Sequence, residues 1–258
     1  MKLQSQFESA CTWIALVFLI LLWIPMTAVA RILDREPGLY RCGRFFRRLG
    51  RAMSSVNPAW RIKYEGTEVK NPRNPYVVVS NHLALADIPI ISGVPWEMKW
   101  VAKKELLKTP LIGTLMRLVG DITVDRGNRA SGARALVKAR QYLLHKVSVL
   151  FFPEGTRSPD GRLYAFNDGA FRLAIKTQVP VLPVVIDGSQ HALPRGGWRF
   201  GQASVRVRVL PPIPTIGLRV KDTIALKNRV RDIMARQLAG WRGVTKSHVD
   251  GLTQRGTV

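Results

Sequence analysis

Two short runs of consecutive apolar residues limit what this chain can fold into. Val77-Val78-Val79, behind Tyr76, and Val147-Ser148-Val149-Leu150-Phe151-Phe152 show no alternation, so each reads as a strand covered on both faces. Such strands belong to parallel sheets with helices packed on either side. Each run also ends in polar residues, the first in Asn81-His82-Leu83-Ala84-Leu85-Ala86-Asp87 and the second in Pro153-Glu154-Gly155-Thr156-Arg157-Ser158. Ligands of open α/β sheets bind beyond the carboxyl ends of the strands, so two such ends point to one active site.

The rest of the pattern agrees with that sheet. Trp60-Arg61-Ile62-Lys63-Tyr64 alternates like a half-exposed strand, and 99–102, 121–124, 181–186 and 205–210 are further strand candidates. Helical spacing covers 104–119, disturbed by Pro110, then 128–145 and 168–176, and 221–239 predicts a terminal basic helix. Strands alternating with helices imply an α/β fold with a mostly parallel sheet flanked by helices. With 258 residues, 47% of them hydrophobic, the chain suits one catalytic domain plus an appendage. The expected division is a membrane-associated segment over 1–57, a catalytic domain over 58–242 and a mobile polar tail over 243–258.

No residue from Ser9 to Ala30 is charged, and that length suffices to cross or deeply enter a bilayer. A cleaved signal peptide is the competing reading, since Ala28-Val29-Ala30 has the small-x-small form. Against it stand the long apolar region, Glu8 before it and the basic flank Arg31, Arg35, Arg41, Arg44, Arg47, Arg48 and Arg51. By the positive-inside rule that flank stays in the cytoplasm, which predicts a cytoplasmic (inner) membrane protein with its catalytic body on the cytoplasmic side. Leu39, Cys42, Phe46, Leu49, Met53 and Val56 recur every three or four residues among the arginines. This pattern suits a basic amphipathic helix on anionic headgroups, an ordinary packing helix with a solvated arginine face, or both.

A net charge of +23 favours phosphate-rich partners: anionic lipid, nucleic acid, a nucleotide-bearing substrate or an acidic carrier. No aromatic-basic RNA motif or zinc finger accompanies it, so nucleic acid is not an expected partner. The two cysteines, Cys11 and Cys42, supply neither a disulfide framework nor a zinc site. His145, His191 and His248 are scattered, and no metal site is expected.

Five residues apart at a helix opening, Asp87 can accept a hydrogen bond from one nitrogen of His82, leaving the other free to take a proton. That is the base-and-orienter half of a hydrolase triad, yet no Gly-x-Ser-x-Gly element occurs, so the nucleophile is sought in a substrate hydroxyl or in water. A structural histidine is the plain alternative. Arg157 suits bidentate phosphate capture. Arg126, past the 121–124 strand, and Lys103-Lys104, past the 99–102 strand, repeat the placement of cations at strand ends.

Together, Asn81-His82 to Asp87, Val124-Asp125-Arg126, Phe152-Pro153-Glu154-Gly155-Thr156-Arg157-Ser158 and Val179-Pro180-Val181-Leu182-Pro183-Val184 resemble the 1-acyl-sn-glycerol-3-phosphate acyltransferase family of bacterial membranes. The resemblance covers about 60–214 and implies a glycerolphosphate acyltransferase-like fold with an N-terminal pair of membrane-docking helices. It implies transfer of a fatty acyl group from acyl-CoA or acyl carrier protein to the sn-2 hydroxyl of lysophosphatidic acid, without a cofactor. His82 would be the general base, Asp87 its partner and Lys103 the stabiliser of the thioester oxyanion. Asn81, Arg126, Glu154, Gly155, Thr156 and Arg157 would bind substrate, Asn81 also shaping the turn. Many members carry serine where this chain has Ala84, and bulkier residues where it has Leu85-Ala86, which leaves another lyso-lipid acceptor, such as lyso-ornithine lipid, open. A non-enzymatic membrane or nucleic-acid binder is the alternative from outside enzymology.

Overall fold

In the computed structural model, which describes residues 2–194 and 196–252, the two apolar runs lie side by side. Helices α1 (Lys2–Leu33) and α2 (Tyr40–Ser55) lead into β1 (Trp60–Gly66). The chain continues through β2 (Val77–Ser80), α3 (Asp87–Ile91), β3 (Met98–Lys103), α4 (Ile112–Val119), β4 (Ile122–Val124), α5 (Arg129–Leu144), β5 (Ser148–Phe151), α6 (Gly169–Thr177), β6 (Val181–Asp187), β7 (Ala203–Val209), α7 (Thr223–Arg242) and α8 (Lys246–Val249). Seven strands form one sheet in the order β1-β7-β6-β2-β5-β3-β4. All neighbours are parallel except β6 and β7. This is the expected α/β architecture.

At the centre, Val79 of β2 sits opposite Phe151 of β5, and every residue of both strands is buried. Their side chains alternate between two cores. Val77, Val79, Val149 and Phe151 pack with α5, α6 and α7 on one face. Val78, Leu150, Leu182 and Trp100 pack with α3 on the other.

Local chemistry explains where elements begin and stop. Residues 104–119 do not form one helix. Pro110 lacks an N–H and drives Thr109 to an extended conformation (ψ 123°), so a short 3-10 turn over Lys104–Lys108 ends there and α4 restarts at Ile112. Helix α5 opens where Asn128 Oδ1 accepts the Ser131 N–H at 3.0 Å. The segment from Gly243, expected as a mobile tail, is docked as far as residue 252. Val249 is buried, its carbonyl accepts the Leu163 N–H at 2.8 Å, and Asp250 pairs with Arg231 at 2.6 Å; residues 253–258 lie outside the described ones.

Helix α1 turns Ser9, Thr12, Leu16, Ile20 and Thr27 inward and leaves Ile14, Phe18, Leu21, Leu22, Met26, Val29 and Ile32 exposed. Its Gln6–Leu33 stretch is long and apolar enough to cross a membrane. Helix α2 packs against α1 and the sheet through Cys42, Arg47 and Leu49, with Arg41, Arg44, Arg48 and Arg51 outward. It is therefore a packing helix that also presents an arginine face.

Arg47 belongs to a balanced buried network. Its guanidinium meets Asp121 at 2.7 Å and Glu97 at 3.4 Å, and Glu97 meets the fully buried Lys99 at 2.9 Å. Gly43 makes the approach possible, because a Cβ there would lie 1.9 Å from Glu97 Oε1. Removing one member of a buried pair typically costs about 3 kcal/mol or more, since the partner is left unpaired. Arg47→Met is accordingly expected to lower the unfolding midpoint of the detergent-solubilised chain by about 10 °C. Arg44→Met, on the exposed face, serves as the control that should barely move it; equal midpoints for the two variants would remove the network from the stability account.

Candidate active site

Where β2 ends, the side chain of Asn81 takes over from the backbone. Its Nδ2 donates to Ile186 O at 2.8 Å and its Oδ1 accepts the Ile186 N–H at 3.0 Å, extending the pairing to β6 by one residue. The amide is occupied by backbone, so Asn81 is the tie from which the next loop leaves.

That loop is held at both polar groups of His82. The His82 N–H donates to Glu154 Oε1 at 3.1 Å, and the Ser158 N–H donates to His82 O at 2.7 Å. Glu154 Oε2 accepts the Tyr164 N–H at 2.9 Å. Both oxygens of Glu154 thus serve backbone donors, and its observed contacts are those of a clamp between loops. Gly155 closes the loop's turn with φ +73°, a conformation that disfavours a side chain, and its N–H donates to Phe152 O at 3.0 Å.

Inside this frame His82 Nδ1 lies 2.7 Å from Asp87 Oδ2. The same oxygen accepts the N–H groups of Leu83 and Ala84 at 2.6 and 3.0 Å, which suits an ionised carboxylate. Nδ1 then carries the proton, and Nε2 is left with a lone pair. The imidazole stacks on Phe152, with ring centroids 4.1 Å apart and planes 19° from parallel, and its side chain is only 10% exposed. Phe152 went unremarked in the sequence as a partner; an aromatic directly after a strand that leads into the polar loop was the available signal.

Beside the pair opens a cavity of about 390 Å³ whose walls are almost wholly apolar. Leu85, Ala86 and Ile88 form its near side, Trp100, Ala102 and Met116 its sheet and α4 side, and Trp13, Leu16, Val17 and Ile20 of α1 its outer wall. The Leu85-Ala86 departure noted in the sequence therefore lies in this wall. Arg47 and Asp121 bring a charged pair to the same surface.

The predicted cations divide. Arg157 sits half-buried on the Glu154 loop with no ion pair among the described residues, next to the exposed Thr156. Lys103 does not join them. Trp100 and Ala102 face the cavity whereas Lys99 lies over Tyr142 of α5, so strand alternation points Lys103 to the α5 face, where it pairs with Glu105 at 3.3 Å. Arg126 is exposed beyond β4, close enough to influence the Glu105 carboxyl, and β4 is three strand positions from β2.

The sequence pattern of the acyltransferase family matches residues 61–187, which contain the His82–Asp87 pair, Phe152 and the Glu154–Arg157 loop but not the α1 and α2 walls of the cavity. The 1-acyl-sn-glycerol-3-phosphate acyltransferase alpha of Ovis aries is 38% identical over 176 residues, 67% of this chain and 61% of the relative. The Homo sapiens protein of that name is 38% identical over 67% of this chain and 62% of its own length. The match thus spans about 61% of these relatives. The crystal structure of the 1-acyl-sn-glycerophosphate (LPA) acyltransferase PlsC from Thermotoga maritima superposes with a TM-score of 0.79 at 26% identity, over 95% of this chain and 98% of that one.

Burial pushes the Glu154 carboxyl from 4.5 up to about 7, although the Tyr164 and His82 N–H groups pull the other way. The folded state therefore keeps this proton to about pH 7, while the unfolded chain releases it near pH 4.5. Stability from this group is fully present below pH 4.5 and is lost as the pH rises to about 7, a difference on the order of 3 kcal/mol. Unfolding midpoints measured across that window should fall in the wild type and flatten in Glu154→Gln; a slope that persists unchanged in the variant belongs to another group.

Proposed function

We propose, from the match of residues 61–187 to the acyltransferase family, that the chain moves a fatty acyl group from a thioester donor to the sn-2 hydroxyl of lysophosphatidic acid, forming phosphatidic acid. The observation that carries the reading is the His82–Asp87 contact at 2.7 Å, held beside both an apolar cavity and a loop with an uncommitted arginine. A lipid thioester and a lipid phosphate need those three features in one place.

In the proposed reaction His82 Nε2 takes the proton of the acceptor hydroxyl as its oxygen attacks the thioester carbonyl. Asp87 stabilises the imidazolium that forms, and Phe152 keeps the ring in its plane. The tetrahedral intermediate collapses, the C–S bond breaks, and the proton on His82 passes to the departing thiolate. An ester and a free thiol result, with no covalent acyl-enzyme and no metal or redox cofactor. The apolar cavity would take the acyl chain, since burying each methylene contributes about 0.8 kcal/mol. Arg157, with Thr156 beside it, would hold the acceptor phosphate; the donor is acyl-CoA or acyl carrier protein.

The apolar face of α1 and the outward arginines of α2 suit an anionic membrane surface. With the basic flank retained on the cytoplasmic side, the reaction would take place at the cytoplasmic face of the inner membrane.

Thiol release from an acyl thioester, with and without lysophosphatidic acid in vesicles, tests this directly. His82→Ala is expected to slow release by about 10²- to 10⁴-fold, the usual contribution of a general base. Equal rates in wild type and variant would sink the assignment, and release that needs no lyso-lipid would mean hydrolysis. Arg157→Ala should raise KM for lysophosphatidic acid about ten-fold with little change in kcat, a loss of uniform binding. An unaltered KM would take Arg157 out of the phosphate site. Replacing lysophosphatidic acid with a panel of lyso-acceptors reads out the effect of Leu85 and Ala86 in the cavity wall.

A further inference from the structure

Away from the imidazole, positive charge collects in excess at the open edge of the sheet. Between β4 and α5 lies a depression of about 270 Å³, its walls about half polar, lined by Lys104, Thr123, Ser131, Arg134 and Lys138 over an apolar floor of Ile122 and Ala135. Among the described residues none of the three cations has a carboxylate within salt-bridge distance. Nearby acids are engaged elsewhere: Asp121 with Arg47 and Glu105 with Lys103. Asp125 approaches through its backbone, donating its N–H to Ser131 Oγ at 2.9 Å. Lys138 Nζ has only the long contact to Asp121 O at 3.4 Å and the Tyr142 ring at 5.8 Å, and partial burial lowers its pKa. Three like charges around one hollow repel one another, and an anion seated there would relieve that repulsion.

We propose that this depression binds a phosphate of the acyl donor, the terminal phosphomonoester on the nucleotide of coenzyme A; the proposal rests on the acyl-transfer reading given above. The acceptor phosphate does not fit the site. In lysophosphatidic acid only C2, C3 and the ester oxygen separate the reacting hydroxyl from phosphorus. The depression, however, lies three strand positions from β2, roughly 14 Å at the usual strand spacing, and on the α5 face of the sheet rather than the Phe152–Trp100 face that holds His82. A pantetheine arm is long enough to join the two places, with the thioester carbonyl at the imidazole and the phosphate at Arg134 and Lys138. Arg134 offers a planar fork and Lys104 and Lys138 offer point charges, a common combination for a phosphomonoester.

The test compares acyl-CoA with acyl-dephospho-CoA, which lacks only that phosphate, in wild type and in the Arg134→Ala/Lys138→Ala variant. Wild type should show a KM about ten-fold lower for acyl-CoA. The variant should lose the distinction while keeping its KM for lysophosphatidic acid and its kcat at saturating donor. Equal KM values for the two donors in wild type would overturn the proposal. So would a variant that loses binding to phosphatidylglycerol vesicles with its donor KM intact, which would make the phosphate a lipid headgroup, or a wild type that accepts acyl carrier protein alone. Calorimetric titration with adenosine 3′,5′-bisphosphate keeps the site testable apart from catalysis. Binding that the double variant abolishes supports the site even if no thioester is turned over, whereas absence of binding in wild type rejects it while leaving acyl transfer untouched.

Discussion

One carboxylate, that of Glu154, holds together the two loops on which the imidazole depends. The parallel pairing of β2 and β5, with Val79 opposite Phe151, makes the two chains leave the sheet at the same edge. Neither loop has a regular partner there, and buried N–H groups without acceptors are costly. Glu154 accepts one from each side, from His82 and from Tyr164, and Ser158 returns a bond to His82. The arrangement extends further, since Arg231 binds the carbonyls of Leu163 and Tyr164 and the carboxylate of Asp250. A contact chain therefore runs from the far end of the described chain to the position of the imidazole, and the buried carboxyl of Glu154 is the link in it that burial pushes towards its protonated form.

The distribution of charge follows a second rule. Although the chain carries a large positive excess, its interior is balanced, with Arg47 and Lys99 against Glu97 and Asp121. Buried ions are tolerated only when paired, so the surplus sits outside: on the outward arginines of α2, on the Glu154 loop and along the β4 edge. Within α2 a single turn separates the two environments, Arg47 inside and Arg44, Arg48 and Arg51 outside. Of the arginines in the helix, Arg47 joins Cys42 and Leu49 in fixing it to the body, and the others face outward.

Strand identity was legible because unbroken apolar runs have few alternatives, and the His82–Asp87 contact because five residues at a loop-to-helix junction must approach one another. What the sequence did not contain was the order of strands. The partner of Asn81, Ile186, lies in a strand whose neighbour could not be known in advance. The backbone contacts of Glu154 were hidden for a related reason: one donor, His82, is 72 residues away and the other, Tyr164, lies ten residues further along the loop. The placement of Lys103 on the α5 face depends on register, since a shift of one residue along a strand changes the face, and that of Arg126 depends on strand order, because β4 is the outermost strand. The docking of 243–252 hinges on Val249 and Asp250, a two-residue signal within an otherwise polar stretch.

Helix α1 is at once the outer wall of the apolar cavity, through Trp13, Leu16, Val17 and Ile20, and a broadly exposed apolar surface on its other side. With that surface immersed in lipid, hydrocarbon would lie on both sides of one helix thickness, and an acyl tail could slide sideways from leaflet to cavity without meeting water. Substrate supply would then be two-dimensional, governed by mole fraction in the bilayer rather than by amount per volume, and dilution with inert lipid would slow turnover where dilution with buffer would not.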